Sequence, residues 1–173
     1  MKTFLTPFVF LLLITNLLTA QEVEFGVLGG LSLDQSNIKL GGAKVQNENY
    51  EFGFQAGLLA TYQFTDKFGL ETDLIFHRYS GGGEQLALPI LGKYAIAPKF
   101  NFLLGPQMST TLNNSSDNLK DVRVALILGV EYEFNEHFFT QARYDWQLNN
   151  SYKGSEDFTS RFNGFNILLG YKF

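Results

Sequence analysis

The chain has 173 residues, enough for one domain, with a formal net charge of −4, no cysteine and two histidines. The mild acidity argues against nucleic acid as a partner. The missing cysteines exclude disulfides, thiolate metal sites and cysteine nucleophiles, and with histidine so sparse no metal site and no cofactor is expected.

The N-terminus reads as a signal peptide over residues 1–20. Lys2 is its charged region, Phe8 to Ile14 most of its apolar core, and Leu18-Thr19-Ala20 a cleavage site leaving Gln21 first. A retained anchor is the weaker reading, because the apolar run is short for a span and lacks a basic stop-transfer flank. No later stretch is apolar enough for a membrane helix. In a membrane, only a closed barrel would then satisfy the backbone.

Alternation dominates residues 21–173, and side chains on a strand point to opposite faces in turn. The first strand is expected over Glu22 to Leu33, with Val23, Phe25, Val27, Leu31 and Leu33 on its apolar face. Asp34 to Asn49 reads as a long polar loop. Tyr50 to Phe64 is the clearest strand, with Tyr50, Phe52, Phe54, Ala56, Leu58, Ala60, Tyr62 and Phe64 on one parity. Thr65-Asp66-Lys67 is a tight turn. The third strand runs from Phe68 to Tyr79 and sets Glu71, Asp73 and His77 opposite its apolar face.

After Ser80-Gly81-Gly82-Gly83, a fourth strand covers Glu84 to Ile96, where Pro89 on the inward parity marks a bulge or weak pairing. Ala97-Pro98-Lys99 turns into a fifth strand, Phe100 to Met108. The loop Ser109 to Lys120 leads to a sixth, Asp121 to Phe134. The turn Asn135-Glu136-His137 leads to a seventh, Phe138 to Leu148. The loop Asn149 to Ser160 leads to the eighth, Arg161 to Phe173.

Three short turns alternate with longer loops, as at the periplasmic and extracellular ends of an outer-membrane barrel. The expectation is therefore an all-β, eight-stranded antiparallel up-and-down transmembrane barrel in the bacterial outer membrane, with outer-membrane lipid around it. A soluble lipocalin-like ligand binder is the architectural rival, with the apolar face turned inward. The signal peptide, the loop asymmetry and the tail favour the membrane form. The tail, with Tyr171 and Phe173, resembles the C-terminal signal read by the barrel assembly machinery during biogenesis.

The chain also resembles the PorT-like family of small outer-membrane β-barrels. The matching pieces are Leu86-Ala87-Leu88-Pro89-Ile90-Leu91-Gly92-Lys93-Tyr94, Phe102-Leu103-Leu104-Gly105-Pro106, Leu128-Gly129-Val130-Glu131-Tyr132, Ala142-Arg143-Tyr144 and Leu169-Gly170-Tyr171-Lys172-Phe173. The resemblance covers essentially all of residues 21–173. It implies fold and location rather than task. One founding member is tied to a secretion system, so a secretion- or transport-accessory role is the alternative function.

Glu71, Asp73, Lys93, Arg123, Glu131, Glu133, Arg143 and Asp145 take the inward parity. Eight strands enclose a lumen just wide enough for side chains, so opposite charges there are expected to pair and plug it. Catalysis would need a nucleophile beside a held base. His77 with Ser80 and Asp73 is the one imaginable set, and it matches no recognised motif, so no catalytic residue and no enzyme activity is expected. Arg78 and Arg161 stand outward near the long-loop rim, where they would meet lipid headgroups or snorkel. The expected role is structural or adhesive, with an unidentified envelope protein as the partner for the outer loops. A lipid-modifying outer-membrane enzyme is the more remote reading.

Overall fold

The computed structural model describes residues 23–44, 49–112, 121–152 and 158–173. The expected signal peptide lies outside them, as do residues 45–48, 113–120 and 153–157 of the expected long loops. The described strands are β1 (Val23–Leu40), β2 (Ala43–Lys44), β3 (Asn49–Gln63), β4 (Phe68–Tyr79), β5 (Glu84–Ala97), β6 (Phe100–Thr111), β7 (Val122–Glu133), β8 (Phe138–Gln147) and β9 (Phe158–Lys172). From β1 and β3 through β9, each long strand lies antiparallel to the next, and β1 pairs with β9 to close the ring. The two-residue β2 only folds back on the end of β1, so the barrel has eight strands.

Closure decides which face is inside. Phe25, Phe54, Leu58 and Phe68 point away from the axis, while Glu71, Asp73, Glu131 and Arg143 are buried within it. Phe54 is 61% exposed and Glu71 is 0% exposed, the reverse of a soluble barrel. The outer surface is an apolar band that only lipid can cover. At the short-turn end the band finishes in paired rings. Phe68–Tyr94 and Phe100–Tyr132 both lie at 4.8 Å, and Phe138–Tyr171 at 4.9 Å, an aromatic girdle at the membrane boundary.

The lumen is less polar than the alternation suggested. Leu28, Leu59, Ile75, Ala87, Phe139 and Leu168 form one buried cluster, and Leu91, Leu103 and Ile127 another. A narrow barrel must fill its interior with side chains, and apolar ones need no partners. Phe139 fits only because its neighbour on β9 is Gly170. A Cβ there would lie 1.9 Å from the ring's Cζ.

Polar atoms fix the short turns. Thr65 Oγ1 accepts from the amides of Lys67 and Phe68, at 3.3 and 3.1 Å. Asn135 Oδ1 accepts from His137 and Phe138, at 2.9 and 2.8 Å. Lys99 takes φ 69°, beside the β5–β6 register shift at Ala95/Ala97.

One expectation needs correction. The first strand does not stop at Leu33. Asp34 to Leu40 continue it, paired with Phe158 to Gly164 of β9, so half of the expected first loop is a ribbon standing on the barrel. Polarity ends the lipid-facing band there, but ladder hydrogen bonds continue wherever a partner strand runs alongside. Similarly, Ser109 to Thr111 extend β6.

At Pro89 the expected alternatives were a bulge or weak pairing, and the ladders show the weak pairing. Pro89 itself stays in register with Gln107 of β6, and the β5–β6 pairing then lapses until Gly92↔Leu104. The β4–β5 ladder lapses between Thr72↔Ile90 and Ile75↔Ala87 without any shift. The Pro89 carbonyl accepts a bond from Thr72 Oγ1 at 3.0 Å.

Gly170→Ala is expected to lower stability by about 1–3 kcal/mol through overpacking against Phe139. Gly29→Ala, whose Cβ would meet only Gln55 O at 3.5 Å, is expected to stay within about 0.5 kcal/mol. Urea unfolding in lipid vesicles measures both. Equal losses would show that the Phe139–Gly170 contact does not set the packing.

Candidate functional site

The inward charges gather at two levels. At the first, Arg143 on β8 reaches across the lumen to β4. Its Nη1 donates to Asp73 Oδ2 at 2.6 Å and its Nη2 to Glu71 Oε1 at 2.7 Å. All three side chains are 3% exposed or less. Gln141, one inward position along β8, donates to Glu71 Oε1 at 2.9 Å and to Glu131 Oε2 at 2.6 Å. Glu131 also accepts from Lys93 and from Asn101 Nδ2, the latter at 2.9 Å. Lys93 Nζ continues to Glu133 Oε1 at 3.1 Å. Lys172 Nζ stands 3.5 Å from that oxygen and 3.0 Å from Glu24 Oε2.

These contacts join groups from every barrel strand except β3. They run from mid-lumen to the short-turn mouth. There the chain meets open space lined by Glu24, Lys93, Glu133 and Lys172.

Alternation and register build this arrangement. Asp73 and Glu71 share a face because they are two apart on β4, as are Gln141 and Arg143 on β8. Arginine suits the junction because its planar fork holds two carboxylates at once. The sequence reading missed Gln141, Asn101, Lys172 and Glu24 as connectors. Their inward parity or rim position was visible, but the neutral amides Gln141 and Asn101 do not announce themselves as links between acids, and nothing in β1 or β9 alone says that Glu24 and Lys172 meet at the mouth.

Arg123 and Asp145 were grouped with these charges; the structure places Arg123 away from them, while Asp145 links the two levels through its attraction to Arg143. They line a second level, a cavity of about 40 Å³ toward the long-loop end, with Asp34, His77, Gln85 and Phe162. Arg123 Nη2 donates to Gln85 Oε1 at 3.2 Å, and its guanidinium lies 5.1 Å from the Phe162 ring centre. Asp145 bonds to the amides of Asn166 and Gln107. That volume has room for water and no larger ligand.

His77 does not join Ser80 or Asp73. Asp73 is held by Arg143, and Ser80 is an exposed loop residue whose amide bonds to Phe52 O. Instead His77 Nε2 meets Ser32 Oγ at 2.6 Å, with Asp34 Oδ2 at 3.9 Å from the same nitrogen. The ring crosses β3 over Gly53, where a Cβ would lie 2.2 Å from Nε2. A catalytic triad needs the base to bridge nucleophile and acid through its two nitrogens. Here both groups approach one nitrogen, which makes a buried polar clasp. His137 at the opposite rim lies with Nδ1 3.1 Å from Lys172 O.

At the outer rim, Arg78 pairs with Glu84 at 3.5 Å, and Arg161 points outward from β9. At the tail, Tyr171 packs on Phe138 and Phe173, and the Phe173 amide donates to Phe25 O at 2.9 Å.

Arg143→Met strands Glu71 and Asp73 without their cation and is expected to cost about 3–5 kcal/mol. Adding Glu71→Gln and Asp73→Asn in the same chain is expected to recover most of that loss. Arg78→Gln, at an exposed pair, is expected to cost under about 1 kcal/mol. Equilibrium unfolding in vesicles ranks the three. An Arg143→Met protein as stable as wild type would show that the lumen bridge contributes nothing.

Residues 8–173 match the family described as outer membrane protein beta-barrel domain. No protein of curated function matches the chain. Among solved structures, the crystal structure of Neisserial surface protein A from Neisseria has 11% identity and a TM-score of 0.56, covering 88% of this chain and 99% of that one. A de novo designed transmembrane β-barrel has 12% identity and a TM-score of 0.50, covering 85% and 95%. The outer membrane protein OprG from Pseudomonas aeruginosa has 21% identity and a TM-score of 0.46, covering 88% and 97%. At these identities the likeness is one of fold, whereas the family match takes in almost the whole chain. The chain therefore belongs to the outer membrane protein beta-barrel domain family, and it resides in the outer membrane.

Proposed function

We propose that this protein is a closed envelope barrel whose task is structural or adhesive, performed by its outer end and its lipid-facing wall rather than by passage through it. The observation that supports this reading is the bridge of Arg143 to Glu71 and Asp73, continued through Gln141 to Glu131 and Lys93. It crosses the lumen at mid-height beside two apolar clusters. An ion path would need continuous water at that level, and displacing these groups would leave buried charges unpaired.

The non-enzymatic reading is supported by the geometry at His77, where hydroxyl and carboxylate meet a single nitrogen. On this reading the signal peptide is cut before Gln21, the aromatic tail of Tyr171 and Phe173 is read by the assembly machinery, and an envelope protein meets the outer loops.

A second reading is a secretion- or transport-accessory barrel of the PorT-like kind. It rests on the pieces from Leu86 to Tyr94 and from Phe102 to Pro106, and it would act through a stable partner. In planar bilayers the folded protein is expected to show no steady ohmic conductance. Long-lived unitary steps in the wild-type protein, abolished by heat unfolding, would sink the plugged reading in favour of a conducting one. Stoichiometric recovery of one periplasmic or outer-membrane protein after mild crosslinking would favour the accessory role. N-terminal sequencing of the membrane-extracted protein is expected to begin at Gln21.

A further inference from the structure

The ribbon of β1, β2 and β9 above the barrel gathers positive charge on one side. Lys39 and Lys44 are direct cross-strand partners, so their side chains leave the same face. Asn37 pairs with Arg161 and Lys39 with Thr159, which sets Arg161 diagonally beside Lys39 on that face. Gln35 pairs with Asn163, and Asn163 in turn with Trp146 of β8. Asn37, Lys39, Lys44, Trp146, Arg161 and Asn163 thus border one open cleft of about 640 Å³.

This face is the outward one, because the same parity continues down β1 and β9 into Leu33, Leu31, Phe165 and Ile167, which face lipid. Arg161 stands four residues beyond Phe165. At strand rise and tilt this is roughly 10 Å above the apolar band, the depth of the headgroup layer. The band ends in the exposed ring of Trp146, a side chain that seats at the same boundary.

We propose that this cleft is a docking site for a phosphorylated lipid headgroup of the outer leaflet. Lys39, Lys44 and Arg161 hold the phosphate, Asn37 and Asn163 bond its sugar or ester oxygens, and Trp146 packs on the first acyl carbons below. Charge complementarity and depth select this occupant. A free anion gains nothing from the apolar wall beneath the cations, whereas a lipid satisfies both at once. The proposal deepens the reading of an envelope barrel that works through its wall. It also divides the two outward arginines, since Arg78 already has Glu84 at 3.5 Å while Arg161 lies beside Lys39 on the cleft.

Trp146 is the only tryptophan in the chain, so the cleft carries its own reporter. Full-length protein folded in zwitterionic detergent micelles is titrated with bisphosphorylated lipid A while tryptophan emission is followed. Parallel titrations use the same glycolipid stripped of phosphate, and inorganic phosphate alone. The expected result is a saturable spectral change with the phosphorylated lipid, absent with the stripped lipid, and not reproduced by inorganic phosphate at the same concentration. Lys39→Gln/Lys44→Gln/Arg161→Gln is expected to weaken binding at least tenfold, and Arg78→Gln to leave it within twofold.

Retained heat-modifiable gel migration certifies that each variant is folded. Should the triple variant fail that check, Arg161→Gln alone is expected to weaken binding at least threefold, and raised salt to weaken wild-type binding. Equal binding by wild type and the charge-neutralised variant, equal loss in Arg78→Gln, or saturation by the phosphate-free lipid each overturns the proposal. Saturation by inorganic phosphate with none by the lipid overturns it as well. Bilayer conductance tests the plugged barrel separately, so either reading can fail without the other.

Discussion

Everything in this molecule follows from the pairing of β1 with β9. In hydrocarbon an unpaired backbone amide has no water to turn to, so the two edges of an eight-stranded sheet must find each other. Closure at eight strands then sets the bore, and a bore that narrow is filled by its own side chains. The remaining questions concern what fills it and where the ladder stops. The first gives the apolar clusters and the Arg143 bridge. The second gives the ribbon above the membrane.

The lumen solves a problem that a soluble core does not face. Its outer wall cannot contribute a hydrophobic driving force in lipid, because apolar side chains gain little by exchanging one apolar neighbour for another. Packing and polar pairing inside must hold the strands in register instead. An ion pair between β8 and β4, on opposite walls, resists a slip of either strand, since moving one residue turns Arg143 or Asp73 out into lipid. The desolvation cost of burying such a group is high, and contacts with charged or amide groups on several strands offset it only in part, since Glu71 Oε2, Asp73 Oδ1, Gln141 Oε1 and Arg143 Nε are buried without a hydrogen-bond partner. Specificity of register is the better-founded role for this network, with net stabilisation a weaker claim.

The eight strands and the two faces were legible in the sequence because period-two patterning survives wherever one side meets lipid. Phe68–Tyr79 came out to the residue, since both its ends are marked by turn chemistry. Leu33 was a misleading end for β1. From Asp34 to Asn37 both faces are polar, so the alternation fades while the ladder persists. Pro89 was legible as a weak point in the ladder, because its missing donor falls where the β4–β5 pairing lapses, and the lapse leaves the register unshifted.

At the candidate site, the inward parity of the charges was readable, but their partners were not. Nothing in one strand says that Arg143 reaches β4 while Arg123 settles on Gln85 and Phe162. That depends on stagger around the barrel and on small residues, such as Gly53 under His77, that open a lane between strands.

The same stagger explains why the two mouths differ. At the short-turn end the chain of ion pairs runs out to Glu24 and Lys172, acids and bases alternating, so that mouth is electrically balanced and its rim is aromatic. At the other end, among the described residues, β1 and β9 run on together past the pairing of β1 with β3 and of β9 with β8, and the ribbon they form is still hydrogen-bonded as a sheet. A ladder holds side chains at fixed spacing, which loops do not. On the proposed reading, Lys39, Lys44 and Arg161 are therefore presented to the outer leaflet at a set depth and a set separation. If the wall of this barrel recognises anything, the ribbon is where its backbone is rigid enough to do so.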